Sequence, residues 1–171
     1  MKLQLRNTRA LAAWLAAAAL AGGLFAAMGA QSATAQAAAP AGCTGQTSQT
    51  WLNVTLQNVR SSNGLIAITL YPDDSRRFLA RAGSLAVGRV AAHAGTTRAC
   101  IFVPNPGVYA LAIYHDENAN QGFDRTAIGL PAEGYGFTNN PATLAGLPAF
   151  NSVRLNVPRS GLNARIQMRY P

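Results

Sequence analysis

Residues 50–171 predict an all-β domain, a single antiparallel β-sandwich of about seven short strands. Two observations carry that reading. Short apolar-polar alternations recur along this part of the chain, each bounded by Gly, Pro, Asn or Asp, and no long helical periodicity interrupts them. No internal repeat is visible either, which argues against a solenoid or propeller.

The chain opens with a targeting pattern. Lys2, Arg6 and Arg9 precede an uncharged apolar run from Ala10 to Ala30, and small residues follow at Ser32, Ala33, Ala35 and Ala37. That order is a signal peptide over residues 1–35, with cleavage after Ala35 or Ala37. The Gly22-Gly23 break and the Ala-rich composition favour cleavage over a retained membrane anchor. A lipid attached at Cys43 is disfavoured by Pro40, which stands where an aliphatic residue is expected. The expected location is therefore periplasmic or secreted, with no stable membrane span after cleavage.

About 135 residues remain, enough for one domain with a real core. Losing Lys2, Arg6 and Arg9 takes the formal charge from +8 to +5, and all the remaining positive charge is Arg. The arginines are dispersed and not interleaved with aromatics, so no nucleic-acid partner is expected. Cys43 and Cys100 are the only cysteines. Export to an oxidising compartment makes them a disulfide, and no Cys/His spacing suggests zinc.

A flexible lead-in of Ala, Gly, Pro, Ser, Thr and Gln spans 36–49. Trp51–Val59 then puts Leu52, Val54 and Leu56 on one face, and Leu65–Tyr71 does the same with Ile66, Ile68 and Leu70. With Asn63-Gly64 between them, the two runs predict a hairpin across Ser61–Gly64. Pro72-Asp73-Asp74-Ser75 opens a helical turn through Leu79 that stops at Gly83. Strands are expected again at 85–92, 97–103 and 108–114, the last reading as a buried central strand because nearly every residue in it is apolar. A Gly- and Pro-rich region runs over 129–148, and two final strands over 150–157 and 164–170.

Three of the six acidic residues fall in His115-Asp116-Glu117-Asn118-Ala119-Asn120-Gln121-Gly122-Phe123-Asp124. Oxygen-bearing side chains alternate at Asp116, Asn118 and Asn120, Asp124 follows, and Gly122 offers a carbonyl. That is how a short loop wraps a hard cation such as calcium. Glu133 would have to return in space to add a third carboxylate. Against this, Gln121 stands at the sixth position where a Gly is usual, and Ala127 stands at the twelfth in place of a bidentate Glu. The competing reading is a set of Asx turns that cap their own backbone.

Pro106-Gly107-Val108-Tyr109-Ala110, the His-Asp-Glu-Asn block at 115–118, and Gly129-Leu130-Pro131-Ala132-Glu133-Gly134-Tyr135-Gly136-Phe137-Thr138-Asn139-Asn140 form an ordered set. Together they resemble the bacterial secreted domain of unknown function 2141. The resemblance runs from about Trp51 to the end and implies an Ig-like or transthyretin-like sandwich; it implies no activity. Where the family pattern tends to read Asn-Gly-Asn-Gly, this chain has Asn118-Ala119-Asn120-Gln121, with Gly122 one place later.

No catalytic constellation appears. There is no Gly-x-Ser-x-Gly, the two histidines are scattered, and the C-terminal Tyr-Arg-Gly-Ser of transthyretin-like hydrolases is absent from Met168-Arg169-Tyr170-Pro171. The Gly/aromatic alternation at 134–137 has two readings. Tyr135 and Phe137 could stack on a sugar or peptide with Asn139 and Asn140 as polar arms, or they could plug the sandwich while the glycines permit close backbone approach. The expected function is a non-enzymatic exported module with calcium at the Asp/Asn loop. The alternative is an envelope polysaccharide- or peptide-binding protein using residues 133–140.

Overall fold

A computed structural model describes residues 38–171; the segment 1–35, expected to be a signal peptide, and the first two residues of the lead-in lie outside the described residues. The elements are β1 (Thr50–Val59), β2 (Leu65–Pro72), β3 (Ala86–Ala91), β4 (Gly95–Val103), β5 (Gly107–Asp116), β6 (Gly134–Phe137), α1 (Phe150–Val153), β7 (Leu155–Val157) and β8 (Leu162–Gln167). They form two sheets: one of three strands ordered β4-β1-β8, and one of five ordered β3-β2-β5-β6 with β7 also on β5. This is the expected sandwich with one strand more than the sequence suggested. All strand pairs are antiparallel except β1 with β8.

The alternation predicts the inner faces correctly. Leu52, Val54 and Leu56 from β1 pack in one core with Ile66, Ile68 and Leu70 from β2, Leu111 and Ile113 from β5, and Ile166 from β8. Each such side chain contributes about 1.5–3 kcal/mol by leaving water. The pairing of the first two strands differs from expectation. β1 and β2 lie in different sheets, so the turn at Asn63-Gly64 carries the chain across the sandwich and closes no hairpin. A register shift between Gln57 and Val59, with Asn58 at φ 60°, bends the end of β1 and starts that crossing. Gly64 takes φ +66°, and a Cβ there would fall 1.9 Å from the Asp116 carbonyl oxygen, so glycine is required twice over.

Two other segments differ. Residues 73–83 begin with the expected helical turn, in which the Phe78 N–H donates to the Asp74 carbonyl at 3.1 Å, but the helical path ends at Leu79, not Gly83, because Leu79 and Ala82 take positive φ. Residues 150–157 split into the single turn α1 and the short strand β7.

The two sheets are stitched along both sides. Tyr135 and Arg169 exchange backbone bonds of 2.8 Å, joining β6 to the chain beyond β8. On the other side the lead-in passes between β3 and β4. Thr44 exchanges backbone bonds of 2.9 Å with Cys100 and Phe102, and its side chain occupies the space over Gly88. The Cys43–Cys100 disulfide, with Cα atoms 4.4 Å apart, staples that strap to β4. The bond is compatible with an oxidising compartment. Among the described residues no helix is long and apolar enough to cross a membrane.

An aromatic trough on the outer sheet face, the candidate functional site

Strand parity decides which residues of the five-stranded sheet point away from the core. Register aligns Arg89, Ala67, Tyr114 and Tyr135 in one row, and Val87, Thr69, Ala112 and Phe137 in the next; Tyr71 pairs with Ala110 beyond them. Small residues thus floor the middle of this outer face, and rings stand at its margins. One end is roofed by a second apolar cluster. There Phe78 packs against Tyr71 at 5.3 Å, Phe150 at 5.5 Å and Phe137 at 6.2 Å, over Val153 of α1. The other end is open. It forms a trough of about 270 Å³ floored by Thr69 and Ala112 and walled by Tyr71, Tyr114, Phe123, Tyr135 and Phe137, with Arg125 at its mouth. Burial pushes the Tyr71 phenol up, so it stays a neutral hydroxyl.

The Asp/Asn loop builds one wall of this trough. Asp116, the last residue of β5, is fully buried, and its carboxylate oxygens accept the N–H groups of Asn120 at 2.9 Å and Gln121 at 2.8 Å. Asn118 Oδ1 accepts the Asn120 N–H at 3.0 Å, and Asn120 Oδ1 accepts the Gly122 N–H at 2.7 Å. The amide groups of Asn118 and Asn120 both donate to Asp124, at 2.8 to 3.1 Å. Tyr114 Oη and Arg89 Nη2 donate to the Gln121 carbonyl at 3.0 and 3.1 Å. These bonds fold the loop over the sheet, bringing Phe123 to 5.6 Å from the Tyr114 ring and Arg125 to 4.9 Å above Phe123.

Glu133 does come back in space. It is buried and accepts the backbone N–H groups of Asp124, at 3.1 Å, and Glu117. Burial pushes its carboxyl up, and the Asp124 and Asp116 carboxylates push the same way against those two bonds. Asp116, Asn118, Asn120, Gly122, Asp124 and Glu133 therefore meet, through bonds to backbone N–H and amide groups. Among the described residues no group of three or more His, Cys, Asp or Glu side chains is arranged to hold a metal ion.

The glycines of the 134–137 block permit close approach, as one reading of the alternation expects. A Cβ at Gly134 would fall 2.1 Å from the Tyr170 ring, and one at Gly136 would fall 2.7 Å from Ile166. Tyr135 and Phe137 do not plug the space between the sheets. They lie on the opposite face of β6, in the second cluster and along the trough. Asn139 and Asn140, both at positive φ, use their side chains on backbone. Asn139 Nδ2 donates to the carbonyls of Ser152 and Arg154, while Asn140 donates to the Arg165 carbonyl and accepts the Gln167 N–H. Asn140 thereby covers the free edge of β8, and both side chains are committed to the fold.

His115 is fully buried on the inner side. Its Nε2 lies 2.8 Å from the Asn63 carbonyl, which can only accept, so this nitrogen donates; Nδ1, 2.8 Å from Tyr170 Oη, accepts. Burial, foremost, pushes that phenol up and keeps it a donor. The histidine is a structural link. Sequence reasoning missed Tyr71, Tyr114, Phe123 and Arg125 as site residues. The available signal was the run of small residues Ala110 and Ala112 on one face of β5, ending at Tyr114 and beside aromatic-rich blocks.

The fold and site define a disulfide-stapled, all-β sandwich with an open aromatic trough on one sheet. The chain belongs to the family described as an uncharacterized protein conserved in bacteria, domain of unknown function 2141, whose model matches residues 54–165. No curated protein and no solved structure matches it.

Proposed function

We propose that this protein is an exported, non-catalytic binding module whose ligand sits in the trough on the five-stranded sheet. The observation that carries the reading is the trough itself: a concavity over Thr69 and Ala112 in which Tyr71, Phe137 and Tyr135, from the edge of the second apolar cluster, face Tyr114 and Phe123. Concave, mainly aromatic surface with a few polar groups is the usual form of a ligand site. Its lining contains no His, Cys, Asp, Glu or Ser, which supports binding over turnover. The Asp/Asn loop serves as scaffold, carrying Phe123 and Arg125 to the wall by its own hydrogen bonds. Calcium has no necessary part in that role.

The test is the uncharged fluorophore N-phenyl-1-naphthylamine. It is expected to brighten on binding the wild-type protein, and Ala112→Leu, which raises the floor, is expected to abolish the signal in a variant that circular dichroism shows to be folded. Tyr135→Ala should weaken it. No enhancement with folded wild-type protein, or full enhancement in Ala112→Leu, would overturn the reading.

A further inference from the structure

We infer that the occupant of the trough is a peptide presenting an aromatic or branched apolar residue beside a carboxylate, with Arg125 as the group that reads the anion. This rests on the trough being the binding site and adds what chemistry it selects.

Charge is the first argument. The six acidic residues are all engaged inside the chain. Glu117 pairs with Arg60, Asp74 with Arg76, and Asp73 with Arg154. Asp116 and Glu133 accept backbone N–H groups, and Asp124 accepts the two Asn amides. None faces Arg125, whose hydrogen bond is from Nη1 to the Gly129 carbonyl at 2.9 Å. Stacking over Phe123 holds the guanidinium at the mouth of the trough with its other donors directed to no acidic side chain of the protein. A guanidinium presents a fork of donors that matches a carboxylate.

Polarity is the second argument. Apart from Arg125, the lining offers Thr69 and phenols, and two of those phenols are used internally: Tyr114 on the Gln121 carbonyl and Tyr135 on Thr143. A sugar ring carries several hydroxyls, each needing a partner when buried, and two of the three phenols here already bond within the protein. An apolar group with one anion asks for fewer partners, Arg125 first among them. The third argument is extent. The trough holds a residue or so, but apolar side chains continue along its lining, where Leu79 is 40% and Leu147 49% exposed. Gly146, also in the lining, packs directly on Pro131 and seats Leu147 there. A small molecule would leave that rim wet, whereas a peptide runs across it.

The experiment is displacement of N-phenyl-1-naphthylamine by an eight-residue Gly/Ser peptide ending in Leu-Phe, prepared as the free acid and as the C-terminal amide. The free acid is expected to displace the probe at about tenfold lower concentration, the scale of one charge-assisted hydrogen bond. Arg125→Gln should make acid and amide equal when each is referred to that variant's own probe affinity, and Arg125→Lys should restore part of the difference. Acid and amide displacing equally from wild-type protein would overturn the anion reading while leaving the trough as the site. 3-Phenylpropionate binding as tightly as the peptide would overturn the peptide in favour of a small aryl acid, and displacement by cellobiose but not by the peptide would overturn both in favour of a sugar. A wild-type protein that never binds the fluorophore removes the site itself.

Discussion

Asp116→Ala removes the carboxylate around which the loop over 117–124 is wound. Two backbone N–H groups lose their acceptor, at 2.9 Å from Asn120 and 2.8 Å from Gln121. Hydrogen bonds to a charged acceptor contribute about 1.5–3 kcal/mol each. Asn120 and Gln121 are exposed, so water takes over part of each bond and the lower figure applies. The expected loss is about 3 kcal/mol for Ala and about half of that for Asn, which keeps one acceptor oxygen but turns an NH2 toward the other donor. For a domain of this size that is a fall of about 10 °C in Tm. Urea unfolding followed by Trp51, buried in β1, reads it, and probe binding reports the loop separately, because Phe123 and Arg125 leave with it. The wild-type Tm should not move with several millimolar calcium, since the loop oxygens already accept N–H groups. A stability within about 0.5 kcal/mol of wild type for Asp116→Ala would refute the reasoning. A wild-type Tm that rises with calcium and falls with a chelator would show instead that the loop is wound about an ion.

Other perturbations follow from the same geometry. Ala119 and Gln121 sit at φ 57° and 65°, where the family pattern places glycines, so Ala119→Gly and Gln121→Gly should each stabilise by about 0.5–1 kcal/mol in denaturant unfolding. Glu133 has a folded-state carboxyl raised above its unfolded value, so its contribution is fully present below the unfolded value and is lost as pH rises through the folded one. The stability difference between Glu133→Gln and wild type should therefore shift toward the variant as pH climbs from about 4 to 7, and a flat difference would contradict it. Replacing Cys43 and Cys100 by Ser opens a link of sequence separation 57 and should cost up to about 4 kcal/mol, measured by urea unfolding with and without reductant.

Much of the fold was legible because local alternation reports burial. Leu52, Val54, Leu56, Ile66, Ile68 and Leu70 point inward as their spacing dictates. Two cysteines leave one pairing, and it forms. Pairing between strands was less legible. Asn63-Gly64 announces a turn, but a turn between two amphipathic strands serves a hairpin or an inter-sheet crossing equally well, and the choice is made by distant partners: β4 and β8 for β1, β3 and β5 for β2. β6 escaped because Gly134 and Gly136 depress strand propensity, and their reason for being glycine is the Tyr170 ring and the Ile166 methyl far along the chain. The trough escaped for the same cause. Thr69, Ala112 and Phe137 become neighbours only through register, and Tyr114 within an apolar run reads as core when its strand has two buried faces.

The acidic loop and the Gly/aromatic block are parts of one construction. Gly134 and Tyr135 pair with His115 and Tyr114, and Glu133, one step earlier, reaches the loop backbone at Asp124 and Glu117. The acids therefore order the chain that leaves β5. Had they served only to end that strand, a single Asx turn would suffice. Instead three carboxylates and two amides hold about eight residues against an outer sheet face, and what this delivers is Phe123 beside Tyr114 with Arg125 on top. The polar density of the loop and the aromatic density of the trough thus have one physical explanation. Backbone bent back over an apolar surface needs acceptors for its N–H groups, and Asp116, Asn118, Asn120 and Glu133 supply them where a sheet partner cannot.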